Sequence, residues 1–121
     1  MASAGRKDKL TEATKKKLLN AIKEGMPISH APAYAGISFR TYYNWKQKGE
    51  ATAGILLKNN SLSEEKINEL ENDKYFLFVQ SLKKAESEFI MTNLKRIKTA
   101  KAGWQSSGWL LERRFPDLFG K

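Results

Sequence analysis

Cysteine is absent from this 121-residue chain, and histidine occurs once, at His30. The first absence excludes disulfide frameworks and cysteine-ligated zinc, and the second excludes a multi-histidine metal site within one chain. No apolar run approaches the roughly 18 residues that a bilayer-spanning helix needs. The opening residues, Met1-Ala2-Ser3-Ala4-Gly5-Arg6-Lys7-Asp8-Lys9, place no apolar stretch behind their basic start, so no signal peptide is expected. There is no glycine-rich phosphate loop followed by Lys-Ser/Thr. Glu64, Glu65, Glu69, Glu71 and Asp73 form the one acid-rich run, and an acidic helix face is its default reading over a two-metal nuclease site. The expectation is a soluble, intracellular protein with no enzymatic activity, no catalytic residues, no metal and no cofactor.

What the chain has is positive charge. Its formal net charge is +9, and the first fifty residues hold ten Lys/Arg against four acids, while the remaining 71 hold twelve against nine. A polyanion is the natural partner: nucleic acid first, a membrane surface second. Residues 1–10 read as a basic arm in which Arg6, Lys7 and Lys9 are available to phosphates.

Helical signals dominate, and no convincing strand or repeat is present. A first helix is predicted from Thr11, which can cap it, to Glu24, with Gly25 as its left-handed stop. Leu18, Leu19 and Ile22 make its apolar stripe, and Lys15, Lys16 and Lys17 lie largely away from that stripe. Ser29 is expected to cap a short second helix, with Pro32 in its first turn and Ala31, Ala33 and Ala35 keeping it thin. Gly36 permits a tight turn, Ile37 plugs the angle, and Ser38 caps a third helix that should run to about Lys48 and end at Gly49. Residues 50–73 read as a linker, with a short acidic helix entered through a capping box over Ser61-Leu62-Ser63-Glu64. A long helix from about Lys74 to Ala102 and a short one from Trp104 to Phe115, stopped by Pro116, should fold back as a hairpin over residues 74–116, leaving 117–121 as a tail. The fold class is therefore all-α: an N-terminal three-helix helix-turn-helix unit over residues 11–49, then a hairpin.

A helix-turn-helix places its second helix in the DNA major groove. At about 100° per residue, Arg40, Tyr43, Asn44 and Gln47 fall on one face of the third helix, and Tyr42 and Trp45 fall on the other. Ile37, Tyr42 and Trp45 are expected to pack inward. Arg is suited to guanine, and Asn and Gln to adenine, by bidentate hydrogen bonding. Ser38 and Thr41 suit a phosphate or a base edge, and Lys46 and Lys48 suit phosphates, which position without specifying. His30 reads as a solvent-facing or capping residue.

Ala33-Tyr34-Ala35-Gly36-Ile37-Ser38, followed by Thr41-Tyr42-Tyr43-Asn44-Trp45, resembles the helix-turn-helix of small terminase subunits from tailed bacteriophages. The segment Trp104-Gln105-Ser106-Ser107-Gly108-Trp109-Leu110-Leu111-Glu112-Arg113-Arg114-Phe115-Pro116 looks like the C-terminal signature of the same group. The resemblance implies a packaging role in the host cytoplasm. Small terminases recognise viral double-stranded DNA near its packaging site and pass it to a large subunit bearing the ATPase and nuclease. They assemble into rings through a central helical hairpin. Carried over, residues 38–47 would read DNA and residues 74–115 would build the ring.

The hairpin's apolar load exceeds what one isolated hairpin can hide, which favours homo-oligomer formation. Phe78, Leu82, Phe89, Leu94, Ile97 and Trp109 are the expected seam between copies. Arg113 and Arg114 read as exposed charge at a helix end, with DNA or a partner carboxylate as the alternative contact. The competing reading of the whole chain is a small dimeric helix-turn-helix regulator or transposase-associated protein, which would bind a palindrome with half-sites one helical turn apart.

Overall fold

The computed structural model describes residues 10–58, 61–99 and 104–119, and every element in them is a helix. The chain is all-α. Its elements are α1 (Glu12–Lys23), α2 (Ala31–Tyr34), α3 (Phe39–Lys58), α4 (Glu64–Glu71), α5 (Lys74–Thr99), α6 (Trp104–Arg114) and α7 (Pro116–Phe119). Among the described residues, no helix is long and apolar enough to cross a membrane.

The start and stop of α1 follow its local chemistry. The Thr11 hydroxyl accepts the amide of Thr14 at 3.2 Å, satisfying one of the donors a helix N-terminus leaves free. At the other end Gly25 adopts φ +101°, and the amides of Gly25 and Met26 return to the carbonyls of Ile22 and Ala21. That paired closure is a Schellman motif. It recurs after α2: Gly36 has φ +88°, and the amides of Gly36 and Ile37 return to Ala33 and Pro32. Both turns need a residue free of a Cβ penalty at positive φ.

One core joins both halves of the chain. Leu18, Ala21 and Ile22 of α1, Ala31 and Ala35 around α2, Ile37 in the turn, and Tyr42 and Trp45 of α3 pack with Phe78, Leu82 and Ala85 of α5. Phe78 is 0% exposed, with Trp45 meeting it edge-on at a centroid distance of 5.5 Å and Tyr42 at 6.2 Å. The long helix α5 is the axis of the molecule: α1 and α3 pack on it, and α6 folds back along it.

Several expectations need correction. The third helix does not stop at Gly49; it continues to Lys58, so the first part of the expected linker is helical. Gly49 is buried where α3 crosses α5, and a Cβ there would collide with the Tyr75 carbonyl oxygen. The glycine marks a close helix crossing and not a helix end. The Ser29 hydroxyl does not cap α2; it is 3.0 Å from His30 Nδ1, and the Pro27 carbonyl accepts the amides of His30 and Ala31. Ala33 is exposed, while Ala31 and Ala35 are buried. The cap of α4 is Ser63, which accepts the Lys66 amide at 3.1 Å, two residues beyond the expected Ser61. Pro116 ends α6 as expected but also opens the single turn of α7, where a missing amide costs little.

The residues of the expected seam divide between the interior and the surface of the chain. Phe78, Leu82 and Phe89 are buried within one chain, Phe78 and Leu82 in the shared core and Phe89 beneath Phe115 and Arg114. Leu94 and Trp109 stay exposed, with Trp109 at 55%, and Ile97 is half-buried.

Candidate nucleic-acid interface

The first turn of α3 is built by its cap. The Ser38 hydroxyl accepts the Thr41 amide at 3.1 Å and donates to Thr41 Oγ1 at 3.0 Å. Both hydroxyls are thereby engaged in fixing the helix start, and no acid lies in the first turn of α3. The helix divides as its sequence predicts. Tyr42 and Trp45 are buried against α5, and Arg40, Tyr43, Asn44 and Gln47 are exposed. The exposed groups span two turns on one side, and the Gln47 side-chain amide donates to the Tyr43 hydroxyl at 3.1 Å.

Flanking cations are placed less evenly. Lys46 is half-buried, and Lys48 is exposed with its ammonium 4.8 Å from the Tyr75 ring centre, near Lys74 over the same ring. Arg6, Lys7 and Lys9 lie outside the described residues. On α1, Lys16 and Lys17 are exposed and Lys15 is half-buried, with Lys17 5.3 Å from the Tyr34 ring centre.

Tyr42 anchors the inner side of α3. Burial, then the charges of Glu86 and Glu50, push its hydroxyl up to about 12, so the ring is neutral at physiological pH. Sequence reasoning missed Phe39. It is 54% exposed at the first position of α3, stacked on Tyr43 at 6.3 Å with an interplanar angle of 16°. An aromatic directly after a helix cap is ordinarily assigned to the core, so its pattern alone carries no signal of exposure.

Sequence reasoning also misjudged Arg114. Its guanidinium donates to the carbonyls of Gly25 and Met26 and lies 5.2 Å from the Phe89 ring centre. Desolvation outweighs the nearby Glu86 charge and lowers its pKa from the usual arginine value. Arg114 therefore ties the end of α6 to the turn between α1 and α2. Arg113 follows the expectation: it is exposed, over the Trp109 ring at 5.2 Å.

An open groove of about 570 Å³ between α1 and α2 is lined by Lys17, Asn20, Glu24, Met26, Pro27 and Tyr34 among others, a set with no nucleophile–base pair. Among the described residues, no three His, Cys, Asp or Glu side chains converge as metal ligands would. No protein-family model, curated protein or solved structure matches this chain.

Proposed function

We propose that the protein is a non-catalytic double-stranded-DNA recognition subunit, with α2 and α3 as a helix-turn-helix and α3 as the helix that enters the major groove. The observation that carries this reading is the division of α3: Arg40, Asn44 and Gln47 face outward together while Tyr42 and Trp45 hold the opposite side in the core. A net charge of +9 supplies the non-specific attraction that such a module needs. Together with the sequence resemblance to small terminases, this supports a role in viral genome packaging, with the protein forming a homo-oligomeric ring that serves a large ATPase and nuclease subunit.

The test is titration of selected and scrambled duplexes by fluorescence anisotropy at several salt concentrations. Arg40→Ala and Asn44→Ala should each weaken binding to the selected duplex by about 1–3 kcal/mol and leave the scrambled duplex much less affected. Equal losses on both duplexes would remove the base-reading role of these residues.

A second reading, the small dimeric regulator, gains from one observation. Phe78, Leu82 and Phe89 are used inside one chain, so less apolar surface remains for a ring than the sequence suggests. Native mass spectrometry separates the two: about eight or more copies support the packaging ring, and a dimer supports the regulator.

A further inference from the structure

The outward side of α3 is not purely polar. Phe39 and Tyr43 are 54% and 47% exposed, although a formed core lies one helix face away. The two rings are held in place. They stack at 6.3 Å, Phe39 rests at 5.9 Å against Tyr42, which is in the core, and Gln47 donates to the Tyr43 hydroxyl. On the helix, Phe39 and Tyr43 lie one turn apart at the edge of the face that carries Gln47, Arg40 and Asn44. An apolar platform thus adjoins hydrogen-bonding groups on a single surface.

Charge decides what covers it. Arg40 is exposed beside the platform, no acid occupies the first turn of α3, and the chain as a whole is cationic. An apolar protein patch would leave Arg40, Asn44 and Gln47 facing a surface that cannot pair them, whereas a polyanionic duplex satisfies them and the cationic field together. Within the major groove, the apolar group on the base edges is the C5-methyl of thymine; cytosine presents an amino donor and no methyl.

We infer that Phe39 and Tyr43 form a thymine-methyl contact, which makes them specificity-determining residues alongside Arg40, Asn44 and Gln47. The inference rests on the proposed DNA-reading role of α3 and adds a chemical feature of the site that role leaves open: at least one A·T pair beneath the N-terminal turn of α3, oriented with its methyl toward the rings. Arg40 and Asn44 then read neighbouring pairs by hydrogen bonding, and the aromatic pair reads by shape and apolar contact.

The experiment starts from a random-sequence duplex pool from which the full-length protein selects its binders. Each thymine of a selected duplex is then replaced singly by deoxyuridine, which keeps every hydrogen-bonding group and removes one methyl. One or two positions should lose about fourfold in affinity, the value of one buried methyl-sized group. Phe39→Ala should bind the thymine and deoxyuridine duplexes equally at those positions, with circular dichroism confirming an unchanged helix content, and Phe39→Leu should keep part of the discrimination. A selected duplex in which no deoxyuridine substitution matters overturns the methyl contact while leaving the DNA reading of α3 intact. The methyl contact is overturned equally if Phe39→Ala retains the full thymine-to-deoxyuridine ratio. Failure of the protein to enrich any sequence from the pool overturns the inference together with the base-specific reading beneath it.

Discussion

Tyr42 shows how a single residue on α3 serves the side that faces inward. Its ring is buried between α3 and α5, and its hydroxyl is pushed up to about 12 by desolvation and by Glu86 and Glu50. A pKa above the free-tyrosine value means the folded chain holds this proton more tightly than the unfolded chain does. The resulting stability is fully present below about pH 10 and is lost as pH rises from about 10 toward 12. Thermal melts between pH 9 and 12 should show that decline, and Tyr42→Phe should flatten it by about 2–3 kcal/mol. An identical pH profile for the two proteins would mean that Tyr42 does not carry the alkaline transition. At this scale the sequence was informative wherever a residue's role follows from helical phase: Arg40, Asn44 and Gln47 outside, Tyr42 and Trp45 inside. It was uninformative for Phe39 and Arg114. An aromatic left in solvent and a guanidinium spent on distant carbonyls both depend on neighbours far away in the chain.

At the scale of elements, glycine has opposite meanings along α3. Gly49 is buried at the crossing with α5, where a Cβ would collide with the Tyr75 carbonyl and with Val79. Gly54 lies farther along the same helix with nothing within 4 Å of the place a Cβ would take. Gly49→Ala should therefore destabilise the fold by about 1–3 kcal/mol, because the two helices must separate or bend. Gly54→Ala should stabilise it by about 0.5–1 kcal/mol by lowering the entropy of the unfolded chain. Urea unfolding followed by tryptophan fluorescence measures both, and a rise in stability for Gly49→Ala would show that the crossing has room for a methyl group. The caps explain why some boundaries were readable and others not. Thr11, Gly25, Gly36 and Ser38 act through hydrogen bonds or backbone angles within a few residues, so their signals are local. A glycine inside a helix at a crossing carries the same letter as a helix stop, and only the partner helix distinguishes them.

For the whole molecule, the consequence is that the two halves share their core. The sequence suggests a reading unit and a separate assembly hairpin, yet α5 closes the core of α1–α3 and Arg114 ties α6 to the α1–α2 turn. Lys23 and Glu88 add an ion pair at 3.5 Å between α1 and α5, exposed enough to contribute little. Phe89→Asp should then unfold the protein outright, at a cost on the order of 4 kcal/mol, where an assembly seam alone would leave a folded, dissociated chain. Trp109→Asp, on an exposed ring, should keep the fold and, in the proposed oligomer, lower only the number of associated copies measured by light scattering. A folded Phe89→Asp chain would place that ring outside the essential core. Arg114→Ala should cost about 1–2 kcal/mol through the lost carbonyl contacts, and Arg114→Lys should not restore them, since an ammonium lacks the two-pronged donor geometry. Full stability in Arg114→Lys, read from the same urea titration, would show that a single point charge suffices.

The order of residues alone was enough for the helical class, both ends of α1, the capped start of α3, the two glycine turns and the inward and outward sides of α3. Each of these follows from interactions reaching no farther than one or two helical turns. Packing between distant segments was needed to establish that α3 runs on past Gly49, that Phe78, Leu82 and Phe89 close the chain upon itself, and that Arg114 returns to the first turn. Those outcomes depend on which apolar faces meet across long sequence separations. An amphipathic stripe specifies that a face must be covered without specifying by what, and here the cover for α1 and α3 comes from their own chain.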